Sequence, residues 1–192
     1  MRIIGGTLRG RTLTTSGFNG IRPTTDRVRE TIFNILNNYC DFEGAQVLDL
    51  CAGSGALAFE AVSRGAARAV LVEKHRGNAQ LLRTSAQTLG VGDSITILCA
   101  DCVKAIGILS TSGHPSTSDA FAPFSLIFCD PPYAARLINP VIQALANSTL
   151  PAPEALFIAE HDIRETVILP TGWTKATERV FGETVVDFFW CQ

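Results

Sequence analysis

The stretch Gln46-Val47-Leu48-Asp49-Leu50-Cys51-Ala52-Gly53-Ser54-Gly55 joins a short apolar run to an acid and a glycine-rich turn. From Ala56 to Arg64 the residues suit a helix, and Gly65 stands where a helix end favours glycine. A second apolar run, Ala69-Val70-Leu71-Val72, stops at Glu73. Apolar runs of this length, alternating with helical segments, predict strands of a parallel, doubly wound sheet.

The same rhythm extends downstream. Gly77 to Leu89 reads as a helix closed by Gly90, and Ser94 to Leu98 as a third strand with Asp101 just beyond it. Leu126-Ile127-Phe128 is a fourth strand ending at Asp130, and Pro140 to Ala146 is helical. Ala155 to Ala159 is a fifth strand, ending at Glu160. Two last strands, near Trp173–Val180 and Thr184–Trp190, are joined by Gly182-Glu183 as an antiparallel hairpin, which makes seven strands. Ser110 to Pro123 is rich in Ser, Thr, Gly and Pro and reads as a mobile loop. Upstream, Ile3 to Leu13 alternates apolar and polar residues with many glycines, as a short strand or hairpin does. Pro23-Thr24-Thr25 then opens a helix whose apolar stripe is Val28, Ile32, Ile35, Leu36 and Tyr39.

A length of 192 residues suits one domain: a basic extension and helix over 1–40 and a core over 41–192. With 46% hydrophobic and 18% charged residues, a disordered or coiled-coil chain is excluded. No apolar run is long enough for a membrane span, and Met1 to Gly6 has no signal-peptide core, so a cytoplasmic protein is expected. The six cysteines then behave as reduced, small hydrophobes. Cys99 and Cys102 form one CxxC without a second pair of ligands, so no metal is expected. The net charge of −2 hides an asymmetry: residues 1–30 hold six Arg against two acids. A basic arm on an acidic body suggests a polyanion met by one edge, and the guanidinium fork suits phosphate. Arg2, Arg9, Arg11, Arg22 and Arg27 are the candidate contacts.

Every parallel strand ends at or near an acid: Asp49, Glu73, Asp101, Asp130 or Glu160. In doubly wound sheets ligands bind outside the carboxyl ends of the strands, so these acids predict a hydroxyl-rich or cationic ligand. Gly53-Ser54-Gly55 lacks the third glycine of the dinucleotide fingerprint, but Glu73, twenty residues after Gly53, suits ribose hydroxyls. Asp130-Pro131-Pro132-Tyr133 is the sharpest signal. Two prolines remove two backbone donors, so the loop offers only acceptors beside an aromatic ring. That combination can grip an exocyclic amine and stack its base.

At these residues the chain resembles the class I S-adenosylmethionine (SAM) dependent amino-methyltransferases. Arg2-Ile3-Ile4-Gly5-Gly6, Arg9-Gly10-Arg11 and Arg22-Pro23-Thr24-Thr25-Asp26-Arg27-Val28-Arg29-Glu30 narrow the resemblance, which spans essentially the whole chain, to the RsmD family acting on guanine N2 of 16S ribosomal RNA. The resemblance implies a Rossmann-like, mostly parallel seven-stranded fold with a C-terminal hairpin. It implies that Asp49, Ala52, Gly53, Ser54 and Gly55 pass under the methionine part of SAM, that Glu73 takes the ribose, and that Asp101 takes the adenine amine, with Cys102 lining that pocket. Asp130, Pro131, Pro132 and Tyr133 would hold the guanine, and the arginines the RNA. Cys51 departs from the pattern, which leads one to expect an aromatic such as Phe there. The implied partner is 16S RNA in the small ribosomal subunit, met by a monomer. A DNA or protein amino-methyltransferase, a non-enzymatic RNA-binding module and a nicotinamide-dependent oxidoreductase are the competing readings; the last is disfavoured by the missing glycine.

Overall fold

The computed structural model describes residues 1–14, 26–112 and 123–191, excepting the side chains of Ser112 and Tyr133. Seven strands form one sheet: β1 (Gln46–Asp49), β2 (Arg68–Val72), β3 (Ile95–Leu98), β4 (Phe124–Cys129), β5 (Pro151–Asp162), β6 (Thr174–Phe181) and β7 (Thr184–Cys191). Their order is β3-β2-β1-β4-β5-β7-β6. The first five run parallel, while β7 lies antiparallel to both β5 and β6. The expected mixed, doubly wound sheet with a terminal hairpin is therefore present, and the hairpin inserts its second strand next to β5.

Strand alternation distributes the helices between two faces. Val47, Leu71, Phe128 and Ile158 point into a core shared with α1 (Asp26–Leu36), α2 (Ala56–Ser63) and α3 (Arg76–Leu89). Leu48, Val70, Ile127 and Phe157 point the other way, against α4 (Cys102–Ser112) and α5 (Ile138–Ala146). Gly90 closes α3 in the left-handed conformation expected of it.

Several boundaries move. The helix ascribed to Ala56–Arg64 ends at Ser63, and Ser94 belongs to a 3-10 turn before β3. Helix α1 stops at Leu36, so Tyr39 lies in the following turn, and α5 starts two residues before Pro140. Strand β5 is longer than expected, which leaves Glu160 inside it, two residues before its end. Helix α4 is new. Cys102, Ala105, Ile106 and Leu109 form its buried stripe, and it carries Ser110–Ser112 into what reads from sequence as a loop. The rest of that loop, residues 113–122, lies outside the described residues, as do Thr24 and Thr25.

The N-terminal arm is held less by strand pairing than by side chains. Among the described residues an antiparallel bridge joins Arg2 to Thr12. The buried Glu60 of α2 accepts the backbone N–H groups of Ile4 (2.7 Å) and Gly5 (2.8 Å) and pairs with Arg64 Nε (2.9 Å). Gly6 has φ +72°, and a Cβ there would sit 1.8 Å from the Ser63 carbonyl oxygen. The Gly5-Gly6 pair thus permits close approach to α2. At the far edge, Asp187 on β7 pairs with His161 Nε2 (3.1 Å) and Lys175 Nζ (2.9 Å), pinning β5, β6 and β7 together. Burial alone would lower the His161 pKa, but its bonds to the Asp187 carboxylate and the Asp162 carbonyl raise it overall.

Candidate active site

The sheet order reverses between β1 and β4, and the crevice outside their carboxyl ends is where such sheets bind ligands. A cavity of about 920 Å³ lies there. Its volume is near the top of the roughly 300–1,000 Å³ usual for small-molecule sites, leaving room for more than one nucleoside-sized group. All five acids expected at strand ends, Asp49, Glu73, Asp101, Asp130 and Glu160, line it, Glu160 from within β5.

Asp49 closes β1 and is only 2% exposed. Its carboxyl accepts the backbone N–H groups of Cys51 and Ala58, the latter in the first turn of α2. Burial, reinforced by the neighbouring Glu73 charge, nonetheless pushes its pKa up to about 7. Ala52, Gly53 and Ser54 form the adjoining wall. Gly55, at φ +76°, turns the chain into α2, and a Cβ there would collide with Phe59 at 2.6 Å.

Glu73 organises that turn. It accepts the Gly53 N–H at 3.2 Å through one oxygen and the His75 N–H at 2.8 Å through the other. Asp101 Oδ1 accepts the N–H groups of Val103 (3.1 Å) and Lys104 (3.3 Å), so it also caps α4. Cys102 lines the cavity, and its thiol hydrogen-bonds that of Cys51. This bond, together with burial, holds Cys102 far above the ordinary cysteine range, so it packs as a neutral thiol. Among the described residues no three His, Cys, Asp or Glu gather as a metal-binding group.

Asp130, Pro131 and Pro132 form the acceptor loop after β4. The Pro132 carbonyl accepts the Ala135 N–H at 2.8 Å and is committed to the short turn that follows. The Pro131 carbonyl and the Asp130 carboxylate are the loop's other acceptors at the cavity. The Tyr133 side chain lies outside the described residues. The far wall is made by residues that sequence reading did not assign to a pocket: Val28 in the first turn of α1, and Val180, Phe181 and Thr184 of the β6–β7 hairpin. Arg27, expected at RNA, lines the cavity too.

The basic arm is smaller than its composition suggests. Arg29 is fully buried and donates from Nη2 to the Arg2 carbonyl (2.6 Å) and to Asp26 Oδ1 (2.9 Å), so it is a structural strut. Arg2, Arg9, Arg11 and Arg27 are exposed, and Arg11 donates to the Thr88 carbonyl near the end of α3 (2.9 Å). Arg22 lies outside the described residues. No helix among the described residues is long and apolar enough to cross a membrane.

Residues 1–190 match the family described as conserved hypothetical protein 95. The chain is 38% identical over 190 residues to ribosomal RNA small subunit methyltransferase D of Escherichia coli K12, covering 98% of this chain and 89% of that one. It is 32% identical over 183 residues to the protein of the same name in Haemophilus influenzae, covering 95% and 89%. The solved structure of YhhF from Escherichia coli superposes with a TM-score of 0.83 at 36% identity, covering 100% of this chain and 98% of that one. With the sheet order, the cavity and the acceptor loop already in place, these matches make the chain a member of the RsmD family of SAM-dependent methyltransferases.

Proposed function

We propose that this protein transfers a methyl group from SAM to the exocyclic N2 amine of a guanine in the 16S RNA of the small ribosomal subunit. The observation that carries the reading is the placement of Asp130 and Pro131 on the same cavity as Asp49, Glu73 and Asp101. The names of the relatives support a substrate in small-subunit RNA. The assembled subunit is the better substrate on this reading. The four exposed arginines described in the basic arm are a small surface for specific binding of naked RNA, whose affinity comes largely from phosphate contacts. The protein acts as a monomer in the cytoplasm and uses no metal.

Asp49, Ala52, Gly53 and Ser54 would hold the methionine end of SAM, with Gly55, which does not line the cavity, turning the chain behind them; Glu73 would hold its ribose, and Asp101 and Cys102 its adenine. When bound, SAM supplies a methyl group already activated on a sulfonium. What remains for the chain is positioning. The Asp130 carboxylate and the Pro131 carbonyl accept the two N–H groups of the amine. Tyr133, whose side chain lies outside the described residues, would stack on the base as the family resemblance implies. These acceptors favour a pyramidal nitrogen whose lone pair is withdrawn from the ring, a geometry reached only in the transition state. Asp130 needs no raised basicity, because the amine proton becomes acidic once the new N–C bond forms.

The test is transfer of tritiated methyl to small subunits from a strain lacking the gene, with naked 16S RNA and duplex DNA alongside. The expected product is N2-methylguanosine from subunits. Label confined to DNA adenine would overturn the ribosomal reading, and absence of both transfer and SAM binding would overturn the enzymatic one.

Asp49 gives an independent check through pH. Its pKa is raised in the fold, so the folded chain holds that proton more tightly than the unfolded chain does. The resulting stability is complete below the ordinary value near 3.8 and is lost as pH rises toward 7. Asp49→Asn should therefore unfold at higher denaturant than wild type at pH 8, by up to about 4 kcal/mol at 1.36 kcal/mol per pKa unit. The advantage should vanish near pH 4. The variant should also bind SAM at least about tenfold more weakly, through loss of a charged partner. Parallel stability profiles for the two proteins would show that Asp49 is not buried as described.

A further inference from the structure

We propose that Glu160 identifies the acceptor base as guanine by accepting its ring N1–H, beside the Asp130 that takes the N2 amine. The inference rests on the guanine-N2 reading above and deepens it.

Strands β4 and β5 are parallel, with Cys129 paired to Ala159. Asp130, just past β4, and Glu160, within β5, each follow that pair, whose backbones stand one strand spacing of roughly 4.8 Å apart. Ala159 points into the α4–α5 core, so by alternation Glu160 points to the other face, as Ile158 does. Both acids are half-buried and both line the cavity. Asp49, Glu73 and Asp101 lie at the ends of β1, β2 and β3, the half of the cavity assigned to SAM. Glu160 lies in the other half, among Val28, Val180, Phe181 and Thr184, with Arg27 lining the same cavity. Val28, Val180 and Phe181 thus give the cavity apolar lining in addition to the two acceptors.

An acceptor loop at an exocyclic amine cannot by itself choose a base, since guanine, adenine and cytosine each carry one. The atom next to the amine differs. Guanine N1 bears a hydrogen, whereas adenine N1 and cytosine N3 present lone pairs. Two neighbouring carboxylates match the parallel N1–H and N2–H donors of guanine. Against the other bases the second carboxylate meets a lone pair, and a buried acceptor set against an acceptor costs far more than a missing contact.

The experiment compares guanine with 2-aminopurine, which keeps the N2 amine but has a bare N1. Small subunits are reconstituted from 16S RNA ligated to carry either base at the acceptor position mapped with wild-type enzyme. Wild type should methylate 2-aminopurine at least about 100-fold more slowly than guanine, as sites built around a substrate donor do. Glu160→Gln can donate its amide to the bare N1. Its guanine to 2-aminopurine ratio of kcat/KM should fall at least about thirtyfold, within the range of one base-edge contact. SAM affinity should stay unchanged. Should Glu160→Gln fail to fold, Glu160→Asp, which withdraws the carboxylate by one methylene, should lower the same ratio. Equal losses on both bases, or a wild type indifferent to the N1–H, would overturn the proposal. Failure of wild type to methylate guanine at all would instead overturn the reading on which it rests, before any variant is compared.

Discussion

Asp130→Ala should lower the rate of methyl transfer about a thousandfold while leaving SAM affinity within about threefold of wild type. A preorganised hydrogen-bonding group aimed at the reacting atom contributes roughly 10²–10³ in rate when removed alone. On the proposed reading Asp130 offers more than geometry: its carboxylate would balance the positive charge growing on the amine nitrogen. A thousandfold corresponds to about 4 kcal/mol of transition-state stabilisation at 1.36 kcal/mol per factor of ten. Its place after β4, beyond the ends of β1–β3 that are proposed to hold SAM, is why cofactor affinity should survive. Asp130→Asn keeps one acceptor oxygen and should fall between the two. Calorimetric SAM titration alongside single-turnover methylation of subunits separates the outcomes. If both properties collapse together, Asp130 serves the cofactor, and the amine must be held elsewhere.

Local signals carried most of the fold because they are local in the molecule too. Gly65 and Gly90 stop α2 and α3, and the acids that close β1 or follow β2 and β4 mark the sheet edge where the cavity lies. Helix α4 escaped because Gly107 interrupts it and Cys102 reads as half of a CxxC, although Cys102, Ala105, Ile106 and Leu109 have helical spacing. That spacing was a usable signal. No comparable signal existed for the cavity's far wall. Val180, Phe181 and Thr184 reach it only because β7 inserts between β5 and β6, a long-range pairing that no window of sequence contains.

Charge was the weakest guide. Composition cannot distinguish an arginine that meets phosphate from one that braces the chain, and Arg29 proved to be a brace. Glu60 was missed for the converse reason. On α2 it looks like an ordinary helical glutamate, and its partners lie some 55 residues away in the arm. The Gly5-Gly6 pair is the only local trace of that contact, and it reads equally well as a turn.

Glu60→Ala should therefore be the most destabilising single change outside the hydrophobic core. The carboxylate is fully buried and serves three donors: the N–H groups of Ile4 and Gly5, and the Arg64 guanidinium. Arg64 in turn lies over the Phe33 ring at 4.9 Å. Removing the acid strands a mostly buried cation and two backbone donors, and breaking a buried pair in this way costs about 3–5 kcal/mol. For a chain of this size each kcal/mol moves the melting temperature by roughly 2–4 °C, so a fall of about 10 °C is expected. Trypsin should then cut at Arg9 and Arg11 in the variant faster than in wild type. The effect should also reach the cavity. Arg29 ties α1 to the arm through the Arg2 carbonyl, and the first turn of α1 supplies Arg27 and Val28 to the acceptor half. Loss of methyl transfer should thus exceed loss of SAM affinity, although Glu60 touches neither ligand. A variant that melts within about 2 °C of wild type and resists trypsin equally would show that the arm is held by its own hairpin, and that α2 does not anchor it.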